Sequence, residues 1–339
     1  MKMNNEKSKK KIIVAMSGGV DSAVVALLLK NKGYDVQGIF LDFFDSRKNI
    51  KDVKIVAKKI GIPLEIVNTS EYFKKKTIGY FLDELKKGNT PNPCVVCNKE
   101  IKFKIMFQKM IELKATYVAT GHYARIINNK LFEAKDKNKD QSYFLYKLNQ
   151  KELSKMLLPL GDYTKNEVRK MAKKFKLLVY DKKESQDICF IPEKGYETFL
   201  KKSLRLKKGK IIDIFGNILG EHEVLPLYTI GQRKGIKVGG KGPYYVIQKD
   251  FKKNKLIVGS EKELFSKKIK LKNINWISIK PKFPFETLIR TRYRNLLVGA
   301  IINKDGNVIF DKPQKSVTSG QSAVFYSKNG EVIGGGTIV

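Results

Sequence analysis

Residues 12–33 read IIVAMSGGVDSAVVALLLKNKG, and this stretch decides the fold. IIVAM (12–16) is a short, β-branched apolar run, which predicts a buried strand. AVVALLLKNKG (23–33) predicts a helix that stops at Gly33. Between them lies Ser17-Gly18-Gly19-Val20-Asp21-Ser22, a strand–turn–helix junction. At such a junction backbone N–H groups and the positive end of the helix dipole point at one spot, which suits a phosphate. Gly18 and Gly19 let the backbone approach an anion closely, and Ser17 and Ser22 add hydroxyl donors. Asp21 is out of place in a site built only for anions; it makes sense if a divalent cation accompanies the phosphate. The plainer alternative is a βα turn with an ordinary cap, but the six-residue string in this setting outweighs it. No Lys follows the glycines and there is no G-x-G-x-x-G, so this is neither the P-loop nor the dinucleotide fingerprint.

Outward from this junction, VQGIFLDF (36–43), PLEIVN (63–68) and ATYVAT (115–120) predict further strands. Helical patterns cover 50–61, 71–87, 99–113, 164–176 and 195–203. That alternation predicts βαβ units and a parallel sheet wound on both sides. The character then changes. GKIIDIFGNILGEH predicts a hairpin with Gly-Asn between two apolar runs. From residue 223 onward, short β-branched and aromatic runs such as LVGAIINKDGNVIF and SAVFYSKNGEVIGGGTIV are punctuated by glycine and proline, the pattern of a small barrel or a sandwich. The expected fold class is α/β: a Rossmann-like parallel-sheet domain over 1–205, a small mostly-β central domain over 206–266, and a β-barrel over 267–339.

The chain has 339 residues, 42% apolar and 10% aromatic, a globular composition long enough for a sizeable core. No run approaches the roughly eighteen apolar residues of a membrane span. The apolar stretch after the basic N-terminus is too short for a signal peptide. A cytoplasmic protein with no membrane association is expected. Three cysteines exclude a disulfide scaffold and direct attention to thiol chemistry or a metal. The net charge of +35 suggests a polyanionic partner. That inference is discounted by a chain-wide bias, because only eight of the 68 cationic residues are Arg. Three of those eight, Arg290, Arg292 and Arg294, flank Tyr293. A local preference for Arg in a Lys-rich chain points to forked phosphate or base contacts and stacking on RNA. Alternate spacing predicts all three on one strand face. A salt-bridged face is the weaker alternative, since only Glu286 lies near in sequence.

Cys94 and Cys97 lie in TPNPCVVCNKE, and Cys189 in ESQDICFIP. Pro91 and Pro93 hold the approach extended, which predicts Cys97 at or near a helix start, where a thiol ionises more readily. Cys189 between Ile188 and Phe190 predicts, by itself, a buried thiol. Three readings compete. Cys97 and Cys189 form a working pair, one carrying a persulfide and the other resolving it. Or Cys94, Cys97 and Cys189 hold an iron–sulfur cluster with one iron open to sulfide. Or these three with His122 make a structural zinc site; a lone C-x-x-C is weak evidence for any of the three, and zinc ranks last because His122 is one of only two histidines and is wanted elsewhere.

The string SGGVDS resembles the pyrophosphatase loop of enzymes that adenylate a carbonyl oxygen and release pyrophosphate, among them asparagine, argininosuccinate and GMP synthetases and tRNA-thiolating enzymes. With TPNPCVVCNKEIKF, ATGHYA, KDQSYFLY, SQDICFIP, YTIGQRKGI and RYR in this order, the chain is similar to the bacterial tRNA-specific 2-thiouridylases from residue 11 to its C-terminus. The resemblance implies a tRNA-uridine 2-sulfurtransferase whose first domain is a PP-loop domain using ATP and Mg2+. Its target would be the 2-oxygen of the wobble uridine in tRNAs for Lys, Glu and Gln.

It also implies site residues. Ala15, Met16, Ser17, Gly18, Gly19, Val20, Asp21 and Ser22 would bind ATP, with Leu41 against the adenine where many members carry Met, and Gly121 against the nucleotide. Cys97 would be the nucleophile and Cys189 the persulfide carrier, leaving a disulfide for a cellular thiol reductant. A cysteine desulfurase or sulfur-relay protein would supply the persulfide. Asn92, Pro93 and Cys94 would hold the target base, and His122, Lys139, Asp140, Gln141, Arg292, Tyr293 and Gln321 would contact tRNA. Two departures matter. Many members carry Asp at the position of Cys94, which keeps the iron–sulfur reading open, and often Pro at that of Ser319. Two rival functions are an ammonia-using synthetase, which needs no separated pair of cysteines, and a non-catalytic RNA binder, against which the intact loop and all three cysteines speak.

Overall fold

A computed structural model describes residues 10–177, 179–181, 188–191, 195–204, 207–239 and 242–339. The basic leader up to residue 9, and Ser185, Gln186, Asp187 and Pro192 of the SQDICFIP string, lie outside the described residues. The chain divides into two compact units, one of residues 1–76, 95–184 and 330–332, the other of 77–94, 185–329 and 333–339.

The first unit opens with β1 (Lys11–Met16), α1 (Val20–Asn31), β2 (Asp35–Asp42), α2 (Arg47–Ile60) and β3 (Leu64–Asn68). α1 is apolar on nearly every face and buries Val20, Ala23, Val24, Val25, Ala26 and Leu29, as a helix enclosed on all sides must. α2 is amphipathic; Ser46 caps its start and Gly61, with φ of 71°, ends it in the left-handed region. A short α3 (Ser70–Phe73) runs through a π-helical turn into α4 (Gly79–Lys86). Next come α5 (Pro93–Cys97), a second π-helical turn (Asn98–Phe103) and α6 (Lys104–Glu112) in unbroken succession. After β4 (Tyr117–Ala119), a small hairpin of β5 (Arg125–Ile127) and β6 (Lys130–Phe132) precedes α7 (Gln150–Leu153), β7 (Met156–Leu157) and α8 (Lys165–Lys174).

Five strands form one parallel sheet in the order β3-β2-β1-β4-β7. Ile12, Val14, Met16 and Phe40 share a core with α1, α2 and α8 on one face. Ile13, Ile39, Leu41 and Val118 pack with Met106 of α6 on the other. The strand order reverses at β1, so β1 and β4 flank the switch point. In open parallel sheets the crevice beyond the carboxyl ends of such strands is where ligands bind. Here that crevice is walled by Ser17–Gly19 after β1 and Thr120–His122 after β4.

In the second unit, α4 and α9 (Tyr196–Ser203) bury Phe81, Leu85 and Leu200 with Phe190 and Phe199. β8 (Gly209–Ile212) and β9 (Ile218–His222) form the expected hairpin, turned by Gly216 at φ 94°. With β10 (Tyr245–Asp250) and β11 (Lys255–Gly259) they make a four-stranded sheet around Ile211, Val246, Leu256 and Val258. The last six strands are β12 (Phe265–Trp276), β13 (Phe285–Arg290), β14 (Val298–Ile302), β15 (Asn307–Lys315), β16 (Ser322–Tyr326) and β17 (Val332–Ile338). They close into a barrel filled by Ile289, Ile302, Val308, Phe310 and Phe325, which leaves no strand edge open.

One expectation about this unit is corrected. β13 ends at Arg290, and the chain then turns, with Asn295 N–H donating to the Arg292 carbonyl at 3.0 Å and Arg294 at φ 69°. The three arginines therefore do not share a strand face. Arg290 lies over the Tyr326 ring at 5.0 Å, Arg294 lies over Tyr293 at 5.3 Å, and Arg292 is exposed at the turn. Among the described residues, no helix is long and apolar enough to cross a membrane.

Candidate active site

The loop between β1 and α1 is organised by its own hydroxyls. Ser22 Oγ accepts from Ser17 N–H at 3.1 Å, lies 3.1 Å from Ser17 Oγ, and donates to the Gly19 carbonyl at 3.2 Å. Gly18 has φ of 67°, a conformation that favours glycine. Gly19 caps α1 with no side-chain hydrogen bond. The first-turn N–H groups of α1 are thus left for a ligand, as at an anion-binding helix start. Ala15 and Met16 end β1 beneath this loop, and Val20, Asp21 and Ser22 form the first turn. Leu41, expected against the adenine, is buried at the end of β2 among Ile13, Ile39 and Met106.

Asp21 is bonded through both of its oxygens. Lys165 Nζ donates to both of its oxygens, at 2.7 and 2.8 Å, and the Tyr123 hydroxyl donates to Oδ1 at 2.8 Å. Lys165 Nζ also lies 5.7 Å from the centre of the Tyr123 ring. Lys165 and Tyr123 were not expected as site residues. A signal was present: Lys165 opens a helix behind the cap Thr164, where acidic side chains are the electrostatically favoured choice.

Gly121 serves the same junction from the β4 side. A Cβ there would stand 3.1 Å from Asp21 Cβ and 3.2 Å from Ser22 N, so any larger residue would press on the first turn of α1. The next residue, His122, sets its Nδ1 2.8 Å from Thr120 Oγ1 and its ring 5.7 Å from that of Phe103. Burial, helped by the charge of Lys102, pushes it down to about 3, so the imidazole is neutral at physiological pH.

The Lys139-Asp140-Gln141 segment is tied to the same loop. Gln141 Oε1 accepts from Tyr123 N–H at 3.0 Å, and Gln141 N–H donates to the Tyr123 carbonyl at 2.7 Å. Asp140 is buried and accepts from Ala134 N–H, Ser142 N–H and the Ser142 hydroxyl; burial still raises its carboxyl above the ordinary range. Lys139 beside it is half-buried. Asp140 thereby fixes the shape of the segment, and Gln141 ties it to Tyr123 and so to Asp21.

The cysteines depart from expectation in two ways. The helix begins at Pro93, where a missing N–H costs nothing, so Cys94 occupies its first turn and Cys97 lies one turn inside. Cys97 is buried, 6% exposed, whereas Cys94 is exposed. Cys189 is exposed too: Ile188 and Phe190 turn into the Phe81 cluster and the residue between them turns out. Among the described residues no group of three or more His, Cys, Asp or Glu side chains is gathered to hold a metal ion. Asn92, just ahead of the helix, and Pro93, its first residue, are buried. In the second unit, Gln321 donates to the carbonyls of Thr90 and Pro91, while Arg292 and Tyr293 sit on the turn after β13.

Three family descriptions match consecutive parts of the chain: tRNA methyl transferase HUP domain over residues 10–193, tRNA methyl transferase PRC-barrel domain over 197–260, and aminomethyltransferase beta-barrel domain over 266–338. Full-length relatives carry a more specific name. A protein of Halothermothrix orenii is 44% identical, with 97% of this chain and 98% of that protein covered. One of Carboxydothermus hydrogenoformans is 40% identical over the same shares. One of Buchnera aphidicola is 45% identical, covering 98% and 97%. Each is named tRNA-specific 2-thiouridylase MnmA. With the loop, the switch-point crevice and the closed barrel in the same order along the chain, this protein belongs to the tRNA-specific 2-thiouridylase family.

Proposed function

We propose that this protein uses ATP to replace the 2-oxygen of the wobble uridine in tRNAs of the Lys, Glu and Gln type with sulfur. The observation that carries the reading is the uncapped start of α1 beside Asp21 at the switch point: donors for phosphates, and one carboxylate for the cation that travels with them. Mg2+ keeps most of its waters and binds through one or two carboxylates plus substrate phosphates, so Asp21 is the residue that would hold it. Bound there, the ion would neutralise phosphate charge.

The chemistry then follows from the groups available. The uridine 2-oxygen attacks the α-phosphorus and pyrophosphate leaves, which turns a poor leaving group into AMP. The terminal sulfur of a Cys189 persulfide attacks carbon 2, and AMP departs with the oxygen. The Cys97 thiolate then attacks the inner sulfur of Cys189. The sulfur–sulfur bond breaks, its electrons stay with the sulfur now on carbon 2, and a Cys97–Cys189 disulfide remains for a thiol reductant. The exposure of Cys189 supports its role as acceptor of persulfide from a desulfurase or relay protein, and the burial of Cys97 keeps its sulfur from other electrophiles. Asn92, Pro93 and Cys94 hold the base in this reading, with His122, Lys139, Gln141, Arg292 and Tyr293 on the RNA.

The test is direct. Unmodified tRNA, ATP, Mg2+, cysteine and a cysteine desulfurase are supplied, and nuclease digests are analysed by mass for 2-thiouridine alongside pyrophosphate release. Stoichiometric, tRNA-dependent formation of both is expected. Pyrophosphate release that is independent of tRNA would make the protein another adenylating synthetase, and tRNA binding without it would make the protein a binder.

A further inference from the structure

Lys165 stands where a helix is least hospitable to a cation. It is the first residue of α8, behind a Thr164–Glu167 capping box, and its own N–H donates to Asp136 Oδ2 at 3.0 Å. An ammonium at a helix start opposes the macrodipole, and this one is buried, with only 8% of its side chain exposed. Helix stability does not explain its presence. Its partner does: Asp21, in the first turn of α1, which packs against α8.

A carboxylate offers about four acceptor positions. On Asp21, Lys165 takes one on each oxygen and the Tyr123 hydroxyl takes another on Oδ1. A divalent cation on the same oxygens would sit against the ammonium, and at such separations in a partly buried site like charges repel. The two cations therefore compete for one carboxylate, unless something anionic arrives to hold the ammonium.

We propose that Lys165 is a resident cation that guards Asp21 until nucleotide binds, and then transfers its charge to the phosphates. This rests on the reading that the loop takes ATP with Mg2+. In the empty site the ammonium holds Asp21 and keeps a lone metal off. When phosphates reach the uncapped start of α1 they supply the anion Lys165 needs, and Asp21 is released to the metal that comes with them. Metal and nucleotide are thereby obliged to bind together, and Lys165 acts in the reaction as a phosphate-positioning residue.

The experiment compares wild type, Lys165→Met and Lys165→Arg. Mn2+ alone is titrated by electron paramagnetic resonance without nucleotide, and binding of ATP with Mg2+ is measured by calorimetry. Lys165→Met is expected to bind Mn2+ about tenfold more tightly than wild type, and ATP with Mg2+ about tenfold more weakly. The gain in Mn2+ binding should vanish when Asp21→Asn is added to Lys165→Met, a variant that also removes both members of the ion pair and so guards against a folding defect. Lys165→Arg, which keeps the pair, should exclude Mn2+ as wild type does. The proposal is overturned if Lys165→Met binds Mn2+ no more tightly than wild type, or binds ATP with Mg2+ equally well. Failure of wild type to bind ATP at all would instead overturn the parent reading, and the Mn2+ titration alone would still decide whether Lys165 guards Asp21.

Discussion

The side-chain amide of Gln321 donates to the Thr90 carbonyl at 2.9 Å and to that of Pro91 at 3.5 Å. Thr90 N–H in turn donates to the Ser319 carbonyl at 2.8 Å. Gly320 between them, at φ 90°, has no room for a Cβ, which would stand 2.8 Å from Asn89 Cβ and 3.0 Å from Thr90 N. The turn before β16 thus braces the segment that leads into Asn92, Pro93 and Cys94. Gln321→Ala is expected to cost about 1 kcal/mol of stability and to speed amide hydrogen exchange over residues 89–94. Gly320→Ala should cost more, about 1–3 kcal/mol, through strain at a left-handed position. Weakened tRNA binding in Gln321→Ala with unchanged exchange would make the residue a direct RNA contact instead of a brace.

Asp21→Ala should abolish pyrophosphate release and leave tRNA affinity nearly intact, because the carboxylate serves the phosphate loop. Removing it also strands the buried Lys165, so a drop in melting temperature is expected; Asp21→Asn with Lys165→Met should restore much of that stability but not the activity. Parallel loss of pyrophosphate release and tRNA binding would trace the effect to misfolding.

The arginines after β13 now separate by environment. Arg292 is exposed at the turn, and Arg292→Ala should weaken tRNA binding by about 1–3 kcal/mol if its contact is to a base, less if only to phosphate. Arg290 lies over the Tyr326 ring, so Arg290→Ala should lower stability more than it changes binding. Binding isotherms at several salt concentrations, set beside thermal melts, distinguish the two effects.

The β1–α1 junction was legible because its signals are local: an apolar run of strand length, a glycine pair and a helical pattern lie side by side in sequence. The parallel sheet followed from alternation, and the density of short strands gave a small barrel or a sandwich, of which the structure shows the closed barrel. Spacing alone misleads where a turn, a helix start or a remote partner decides. Alternate spacing put Arg290, Arg292 and Arg294 on one face only if the strand continued, and the turn closed by Arg292 and Asn295 ends it. Pro93 was read as an extended approach although proline is equally at home as the first residue of a helix, and that moved Cys97 one turn inward. Lys165 shows in sequence only as a cation opening a helix, because its partner, Asp21, lies 144 positions away.

The half-buried imidazole of His122 predicts an acid-sensitive fold. Its folded value, about 3, lies below the ordinary histidine value of 6.5, so the unfolded chain binds the extra proton between these two. The neutral ring costs nothing at pH 7. Stability is lost as pH falls below about 6.5, by about 2 kcal/mol at pH 5, and the loss ends near pH 3. His122→Gln carries no such proton. Relative to wild type it should therefore be less destabilised between pH 7 and pH 5, as read by denaturant melts at the two values. An identical acid sensitivity in both proteins would assign the effect to other groups.

The cysteines make the sharpest prediction, because their three environments differ. Cys97 is buried one turn into the helix, whereas Cys94 and Cys189 are exposed. If Cys97 and Cys189 are the working pair, thiol–disulfide exchange needs two sulfurs and a reductant, and Cys94 is a neighbour of the base with no sulfur to transfer. Cys94→Ser should then retain substantial thiolation, while Cys97→Ser and Cys189→Ser are each nearly inactive yet still release pyrophosphate with tRNA. Cys189→Ser should also fail to acquire a persulfide from the desulfurase, which mass spectrometry reads directly, whereas Cys97→Ser should acquire it and hold it. An iron–sulfur reading predicts a different pattern: three ligands of equal standing, with any single loss costing activity to a similar degree. A Cys94→Ser protein that folds, adenylates its tRNA and yields no 2-thiouridine would therefore overturn the persulfide pair.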